Sequence, residues 1–207
     1  MMRKLWVAIA IPMLWACGAD RAADGRANET AVKSEPPTQA PENAMLAANA
    51  VARQADERSQ FTSIDPPSCK LLEENIEEGG WSRRLCNGVA GYKLELTDSD
   101  LRQDIIVIPA KGDRSELGLT EIVALGAFNA LGKTAEWRGA DLSAPEVLIV
   151  RLGVAADPEG RKPDVSNLIV ARLKPSACIV AVVPPGAGQN ERARAIADRK
   201  LPACLKG

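Results

Sequence analysis

Residues 92–97, with the sequence YKLELT, decide the fold class because apolar and polar side chains alternate along them. In an extended chain this alternation places Tyr92, Leu94 and Leu96 on one face and the polar side chains on the other. A half-buried strand of this kind is typical of an antiparallel sheet that packs one face on a core. After a polar turn, residues 103–108 predict a second strand.

Further elements are predicted on both sides of this stretch. Ahead of it, residues 69–74 and 81–86 flank a glycine-containing turn and predict a β-hairpin. Behind it, we expect strands at residues 134–138, 146–153, 167–173 and 177–183. Residues 120–131 predict one short helix, and residues 189–200 predict a C-terminal helix followed by Pro202. The fold class is therefore α+β, with one antiparallel sheet of about seven strands, one short internal helix and a C-terminal helix.

Four cysteines in this region predict two disulfides that staple the fold. A hairpin turn centred on residues 77–78 places Cys69 opposite Cys86, at a spacing that suits a cross-strand disulfide. The second disulfide then joins Cys178 to Cys204. Four cysteines allow three pairings, and the sequence leaves the other two open.

The N-terminus predicts secretion. Arg3 and Lys4 precede an apolar run of 12 residues, 5–16, which is too short to span a bilayer. Residues 1–16 are therefore a predicted signal peptide. The run ends in the sequence LWAC at residues 14–17, which resembles the bacterial lipobox.

The lipobox resemblance implies that Cys17 is the first mature residue and the attachment site of a lipid. Gly18 after it implies the periplasmic side of the outer membrane. Lipidation of Cys17 also leaves an even number of cysteines for disulfides. The alternative is ordinary cleavage after Gly18 or Ala19, which leaves a soluble periplasmic protein.

Residues 17–60 are rich in Ala, Glu, Asp and Pro, and no aromatic side chain occurs among them. Such a segment cannot bury enough apolar surface to offset the entropy of ordering, so it predicts a lipidated, disordered tether. The predicted organisation is a signal peptide at 1–16, the tether at 17–60 and a disulfide-stapled head domain at 61–207.

Composition excludes several classes of function. Lysine and arginine number 26 against 27 aspartate and glutamate residues, and this balance argues against a nucleic-acid partner. Histidine is absent, which excludes histidine-based acid–base catalysis and most zinc and copper sites. We therefore expect no metal and no cofactor.

Three motifs invite a functional interpretation. Residues 127–134 match a relaxed nucleotide-binding pattern that ends in Gly-Lys-Thr, but no glycine-rich loop precedes the lysine. Residues 186–188 match only part of a dinucleotide motif. We predict a helix-to-strand turn and a helix start at these places and no nucleotide partner. Asp98, Asp100 and Asp104 suggest a calcium loop, but Arg102 stands at a ligand position, so a solvated turn is favoured.

Glu136, Trp137 and Arg138 form a candidate binding surface, because Trp and Arg dominate recognition hot spots. The alternative is that Trp137 fills the core of a domain with few aromatic residues. Carboxylate-only catalysis on glycan or peptidoglycan is a second function to consider, with Glu136, Asp141 and Glu146 as candidate acids. Nothing in the sequence pairs these acids, so no catalytic residue is assigned.

The chain also resembles an uncharacterised family of secreted proteins of alphaproteobacteria. The resemblance covers about 140 residues of the head domain and rests on Cys69, Trp81, Cys86, Gly91, Tyr92, residues 100–102, the GxTxEWR segment at 132–138, Arg151, residues 168–170, Cys178 and residues 193–198. It implies an envelope location and paired cysteines, and it supplies no mechanism.

Together these features predict a cell-envelope lipoprotein, anchored in the membrane through its N-terminal lipid. We expect a non-enzymatic binding or interaction module whose partner is an envelope protein or a glycan. An envelope enzyme that uses carboxylates alone is the alternative.

Overall fold

The structure is a computed structural model that describes residues 57–77 and 79–207. Within these residues the chain forms ten strands: β1 (Ser59–Ser63), β2 (Lys70–Asn75), β3 (Trp81–Asn87), β4 (Lys93–Ser99), β5 (Arg102–Ile108), β6 (Ser115–Glu116), β7 (Asn129–Arg138), β8 (Val147–Val154), β9 (Val165–Arg172) and β10 (Cys178–Val183). Two α-helices accompany them: α1 (Leu119–Ile122) and α2 (Gln189–Ala197). None of the helices in this part of the chain is long and apolar enough to cross a membrane.

The strands form two sheets of five strands each. Sheet 1 has the order β1-β7-β8-β9-β10, sheet 2 has the order β2-β3-β4-β5-β6, and all paired neighbours are antiparallel. The predicted antiparallel architecture with two helices and two disulfides is therefore confirmed. The prediction of one sheet of about seven strands is wrong. It missed β1 and β6, because β1 is mostly polar and β6 has only two residues.

Side chains from the two sheets meet in one core. Leu94, Leu96 and Ile105 of sheet 2 belong to the same buried cluster as Trp137 and Leu148 of sheet 1. Alternation along each strand explains this division, since every second side chain of β4, β7 and β8 points to the space between the sheets. The alternating residues 92–97 thus form part of a two-sheet core.

Trp137 is the largest side chain in this core and is completely buried. Its indole Nε1 donates a hydrogen bond to Thr62 Oγ1 at 2.8 Å, and its ring lies 5.6 Å from that of Tyr92. A Cβ atom on Gly88 would lie 2.5 Å from the indole ring, so glycine is needed for this close approach. The burial of Trp137 agrees with its interpretation as a core residue.

Helix α2 covers the outer face of sheet 1. Ala193 of α2 is buried in a second apolar cluster with Val147, Ile149 and Val170 of sheet 1, and Ile196 packs against the same cluster. The sheet is therefore buried on both faces, which accounts for the nearly continuous apolar sequences of β8 and β9.

Each sheet contains one of the two disulfides. Cys69 pairs with Cys86 next to the β2–β3 hairpin, and Cys178 at the start of β10 pairs with Cys204 beyond α2. Of the three pairings that the sequence allows, the structure has the near-neighbour one. The second disulfide ties the segment after α2 back to the edge of sheet 1.

The predicted helix at residues 120–131 is wrong over most of its length. Helix α1 ends at Ile122, and the chain then turns through Leu125 and Gly126, both with positive φ. Residues 129–131 belong to β7 and pair with β8. The helical spacing of the apolar residues was misleading, because tertiary pairing of a strand overrides a weak helix pattern that contains glycine.

The folded region begins before the predicted boundary at residue 61. Strand β1 starts at Ser59 and pairs with β7, so residues 59 and 60 are part of the domain and not of the tether. The predicted signal peptide, the lipid site Cys17 and residues 17–56 of the predicted tether lie outside the described residues.

Candidate functional site

A groove lies on the outer face of sheet 1, beside the N-terminal half of α2. It has a volume of about 200 Å³. Its walls come from β1, β7, β8, β9 and α2, and the lining residues are Phe61, Gly132, Lys133, Thr134, Glu136, Ile149, Arg151, Leu168, Asn190 and Arg194. We call this feature the groove.

An irregularity in β7 shapes one side of the groove. The pairing of β7 with β8 shifts between Leu131, which lies opposite Leu152, and Ala135, which lies opposite Val150. Three residues of β7 therefore face the single residue Arg151. A Cβ atom on Gly132 would lie 2.9 Å from the Cβ of Arg151, so glycine lets the bulge approach that side chain.

Glu136 is held in an ionic cluster at one end of the groove. Its carboxylate accepts hydrogen bonds from Arg194 Nε at 2.8 Å, from Arg138 Nη1 at 3.1 Å and from Ser59 Oγ at 2.6 Å. Arg138 also donates to both carboxylate oxygens of Asp198, at 2.9 and 2.8 Å. The negative charge of Glu136 is therefore neutralised by two guanidinium groups.

Arg151 has a different environment in the middle of the groove. Its Nη1 donates to Ser166 Oγ at 2.9 Å and to Gln189 Oε1 at 2.9 Å, and its Nη2 donates to Asn190 Oδ1 at 3.3 Å. All three acceptors are neutral. Within residues 57–77 and 79–207, no carboxylate oxygen lies within 4.0 Å of this guanidinium, and no acceptor bonds its Nε.

The two other cations of the groove have acidic partners. Arg194 is paired with Glu136, and Lys133 Nζ lies 3.3 Å from Asp65 Oδ2. The guanidinium of Arg194 also lies 5.9 Å from the centre of the Phe61 ring, which is half-exposed. Within the described part of the chain, the groove thus combines one cation that has no counterion with an aromatic and aliphatic wall.

A larger cavity of about 330 Å³ lies between the edges of the two sheets. Its two basic side chains have acidic partners, Lys133 with Asp65 and Arg84 with Glu74 at 3.6 Å, and Asp98 accepts a hydrogen bond from the side-chain amide of Gln103 at 2.8 Å. Because both cations of this cavity are ion-paired, the groove around Arg151 is the better candidate for an anionic ligand.

The structure separates the residues of the predicted binding surface. Trp137 is buried in the core and contributes nothing to a surface. Arg138 is also buried, and its guanidinium serves the ionic cluster. Glu136 alone lines the groove. The alternation of side chains along β7 sends Trp137 to the opposite face from its two neighbours.

The candidate acids for catalysis have different roles. Glu136 is bound by arginines, whereas Asp141 and Glu146 are exposed. Hydrogen bonds from the Ser143 hydroxyl and backbone N–H hold the pKa of Asp141 below its usual value. A general acid needs the opposite shift, so Asp141 is suited to an ordinary ionised surface position.

The structure also places the residues of the phosphate and calcium motifs in positions that do not suit these ligands. Gly132, Lys133 and Thr134 lie inside β7 and not in a helix-to-strand turn, so no helix begins at the lysine. Asp100 pairs with Arg102, and Asp104 is buried against α1. Among the residues that the structure describes, no group of three or more Asp, Glu, Cys or His side chains is arranged to hold a metal ion.

Sequence reasoning about local motifs missed Arg151, Phe61 and Arg194 as groove residues. Arg151 and Arg194 are among the residues on which the predicted family resemblance rests, and the structure brings both to the groove together with Gly132 and Thr134. Arg194 lies 58 residues from its partner Glu136, so no local pattern could indicate the contact.

A comparison of the chain with protein families, with curated proteins and with solved structures found no match.

Proposed function

We propose that this chain is a cell-envelope lipoprotein whose folded domain is a non-enzymatic binding module, with the groove as its binding site. The ligand belongs to an envelope glycan or an envelope protein. The observation that carries the proposal is the guanidinium of Arg151, which faces the groove and is held only by neutral acceptors.

The proposed location is supported by the sequence and by the disulfides. The charged and apolar N-terminus followed by Cys17 is typical of a lipoprotein signal. Two disulfides favour an oxidising compartment such as the periplasm. A lipid on Cys17 would keep the domain at the membrane through residues 18–58.

The proposed binding role is supported by the charge balance in the groove. A cation in a partly enclosed site gains free energy when an anion neutralises it. Among the residues that the structure describes, Arg194 and Lys133 have an acidic partner and Arg151 does not. A ligand with a negative group can therefore supply the counterion of Arg151.

The groove is better suited to binding than to proton transfer. Glu136 is the acid that lines it, and this carboxylate accepts hydrogen bonds from two arginines and Ser59. These hydrogen bonds use the carboxylate to position the Arg194 guanidinium beside Phe61. We therefore assign it to the architecture of the site.

The location is tested by the intact mass of the protein extracted from the cell envelope. We expect residues 17–207 plus acyl groups, and four thiols that appear only after reduction. A mass without acyl groups, or thiols that are free before reduction, contradicts the proposed location.

The binding role is tested with a Cys17→Ser chain, which has no lipid to hold it to a membrane. This chain is mixed with washed envelope fragments and sedimented. We expect the chain to pellet, and Arg151→Gln to weaken the association at least tenfold (about 1.4 kcal/mol).

Arg192→Gln is the matched control, because it removes one positive charge from α2 at a position that does not line the groove. We expect it to pellet like the parent chain. Equal sedimentation of all three chains, or no sedimentation of the parent, contradicts the groove as the binding site. Thermal unfolding checks that both variants remain folded.

A further inference from the structure

We infer that the groove binds a carboxylate group through the Nε and Nη2 side of the Arg151 guanidinium, and this inference rests on the proposed function. It goes further by naming the chemical group of the ligand and the atoms that receive it. Three properties of the groove lead to it: the free donors of Arg151, the net charge and the size.

The hydrogen bonds of Arg151 leave one side of its guanidinium open. The group has five N–H donors, of which Nη1 carries two, Nη2 two and Nε one. Nη1 is occupied by Ser166 and Gln189, and one N–H of Nη2 is occupied by Asn190. The remaining donors are Nε and the second N–H of Nη2, two nitrogen atoms that lie on the same edge of the guanidinium. Their spacing matches the two oxygens of one carboxylate.

The charge of the groove favours a monoanion. Arg194 and Lys133 are balanced by Glu136 and Asp65, so Arg151 leaves one positive charge. A phosphate dianion would need a second unpaired cation, and it would be repelled by the carboxylate of Glu136 in the same groove. Carboxylate supplies one negative charge and two acceptors, which is what the open edge of Arg151 can take.

The dimensions and walls limit what carries the carboxylate. A volume of about 200 Å³ equals that of roughly seven water molecules, which is the size of one amino-acid residue or one sugar ring. Phe61, Ile149 and Leu168 form an apolar wall, while Thr134 adds a hydroxyl. The group that fits is a small carboxylate-bearing unit, either the last residue of a peptide or an acidic sugar.

The test follows the Nε–Hε resonance of Arg151 by NMR in the full mature chain with Cys17→Ser. The resonance is assigned by its loss in Arg151→Lys. The probes are N-acetyl-alanyl-alanine and glucuronic acid, each with its uncharged counterpart, the C-terminal amide and the methyl ester. Inorganic phosphate is the fifth probe.

We expect at least one free carboxylate to shift the resonance in a saturable way, and its uncharged counterpart to bind at least tenfold more weakly. The peptide and the sugar arms distinguish the two sources of the carboxylate. Arg151→Lys keeps the charge and loses the paired donors, so it should bind about tenfold more weakly, which is measured on the backbone amide resonances of the groove because this variant has no Arg151 side-chain resonance. Arg192→Gln should leave the affinity unchanged.

Two outcomes overturn the inference. One is a phosphate affinity equal to or above that of both carboxylates. The other is no shift with either carboxylate up to about 10 mM, which is well beyond a millimolar dissociation constant. If envelope sedimentation still depends on Arg151 in either case, the proposed function stands and only the ligand chemistry is wrong. If sedimentation also fails, both proposals fall.

Discussion

The outer faces of the two sheets carry the same arrangement, a nearly buried glutamate between two arginines, but only on sheet 1 does this cluster border a groove with a further arginine that neutral side chains hold. The glutamates are Glu95 on sheet 2 and Glu136 on sheet 1. Their arginines are Arg83 and Arg114 on sheet 2, and Arg138 and Arg194 on sheet 1. Arg151 lies beside the second cluster alone. An arginine–carboxylate cluster is therefore not by itself a binding site. A site also needs hydrogen-bond donors nearby that the protein leaves unused.

The two clusters also differ in their access to water. On sheet 2, the side chains of Arg83 and Arg114 are 40% and 50% exposed, so they can be solvated without Glu95. On sheet 1, the side chain of Arg138 is only 1% exposed because β1 and α2 surround it. The first cluster is a surface network, and the second is part of the packed interior.

The largest expected effect is at Arg138. Replacement by Met removes a buried guanidinium and leaves Glu136 and Asp198 without their shared partner, so we expect a loss of roughly 3–5 kcal/mol in the free energy of unfolding. The matched change on sheet 2, Arg114→Met, should cost less than about 1 kcal/mol because that side chain is half-exposed. Urea unfolding of both variants measures the difference. Equal losses would show that the two clusters are energetically alike.

The two disulfides provide the next comparison. They close loops of 17 and 26 residues, and removing either by a double Cys→Ala change should cost about 3 kcal/mol. Of the two disulfides, only Cys178–Cys204 fixes the segment that follows α2. Helix α2 itself carries Asn190 and Arg194, which line the groove. We therefore expect that only the loss of this bond weakens sedimentation with envelope fragments. A similar weakening after removal of Cys69 and Cys86 contradicts this division of roles.

The part of the fold that the sequence could predict depends on local patterns. Strands β4, β5 and β8 were expected within two residues of their ends, β4 because apolar and polar side chains alternate, and β5 and β8 because each contains a short apolar run. Their division into two sheets was not predictable, since the same inward-facing residues fit one sheet on a helix or two sheets on each other. Strand β1 was not predicted because its sequence, SQFTS, has only one large apolar residue.

The groove was less predictable than the fold. Its charges come from β7, β8 and α2, and the contact between Arg194 and Glu136 spans 58 residues. The burial of Trp137 follows from the period-two alternation only once the inner face of β7 is known. In the sequence, Arg151 resembles any charged residue that follows an apolar run. It differs from the other cations of the groove because no described carboxylate lies near its guanidinium, and this can be seen only in the folded structure.

A smaller effect should distinguish the two glutamates. Glu136→Gln removes the counterion of Arg194 and gives the groove a second unbalanced positive charge, so we expect its affinity for phosphate to rise about tenfold (about 1.4 kcal/mol). Glu95→Gln makes the same chemical change on sheet 2 and should leave phosphate binding unchanged. Titration of both variants with inorganic phosphate makes the comparison. A rise in neither variant would show that Glu136 does not set the charge of the groove.

The smallest effect concerns Asp104 on β5, a buried carboxylate that has backbone N–H groups and no arginine as its partners. It accepts hydrogen bonds from Ile105 N at 2.7 Å and Thr120 N at 3.3 Å, and burial raises its pKa above 3.8. Because the folded state then binds the proton more tightly than the unfolded state, stability falls as the pH rises from about 4 through the raised pKa.

The variant Asp104→Asn has no carboxyl group at this position, so its stability does not change with the ionisation of residue 104. Its free energy of unfolding relative to the wild type should therefore increase over that interval and level off above it. Urea unfolding of both chains at a series of pH values gives this difference, in which the other titrating groups cancel. A difference that decreases with pH would mean that the backbone donors outweigh burial, and a difference that is constant would mean that the two effects cancel.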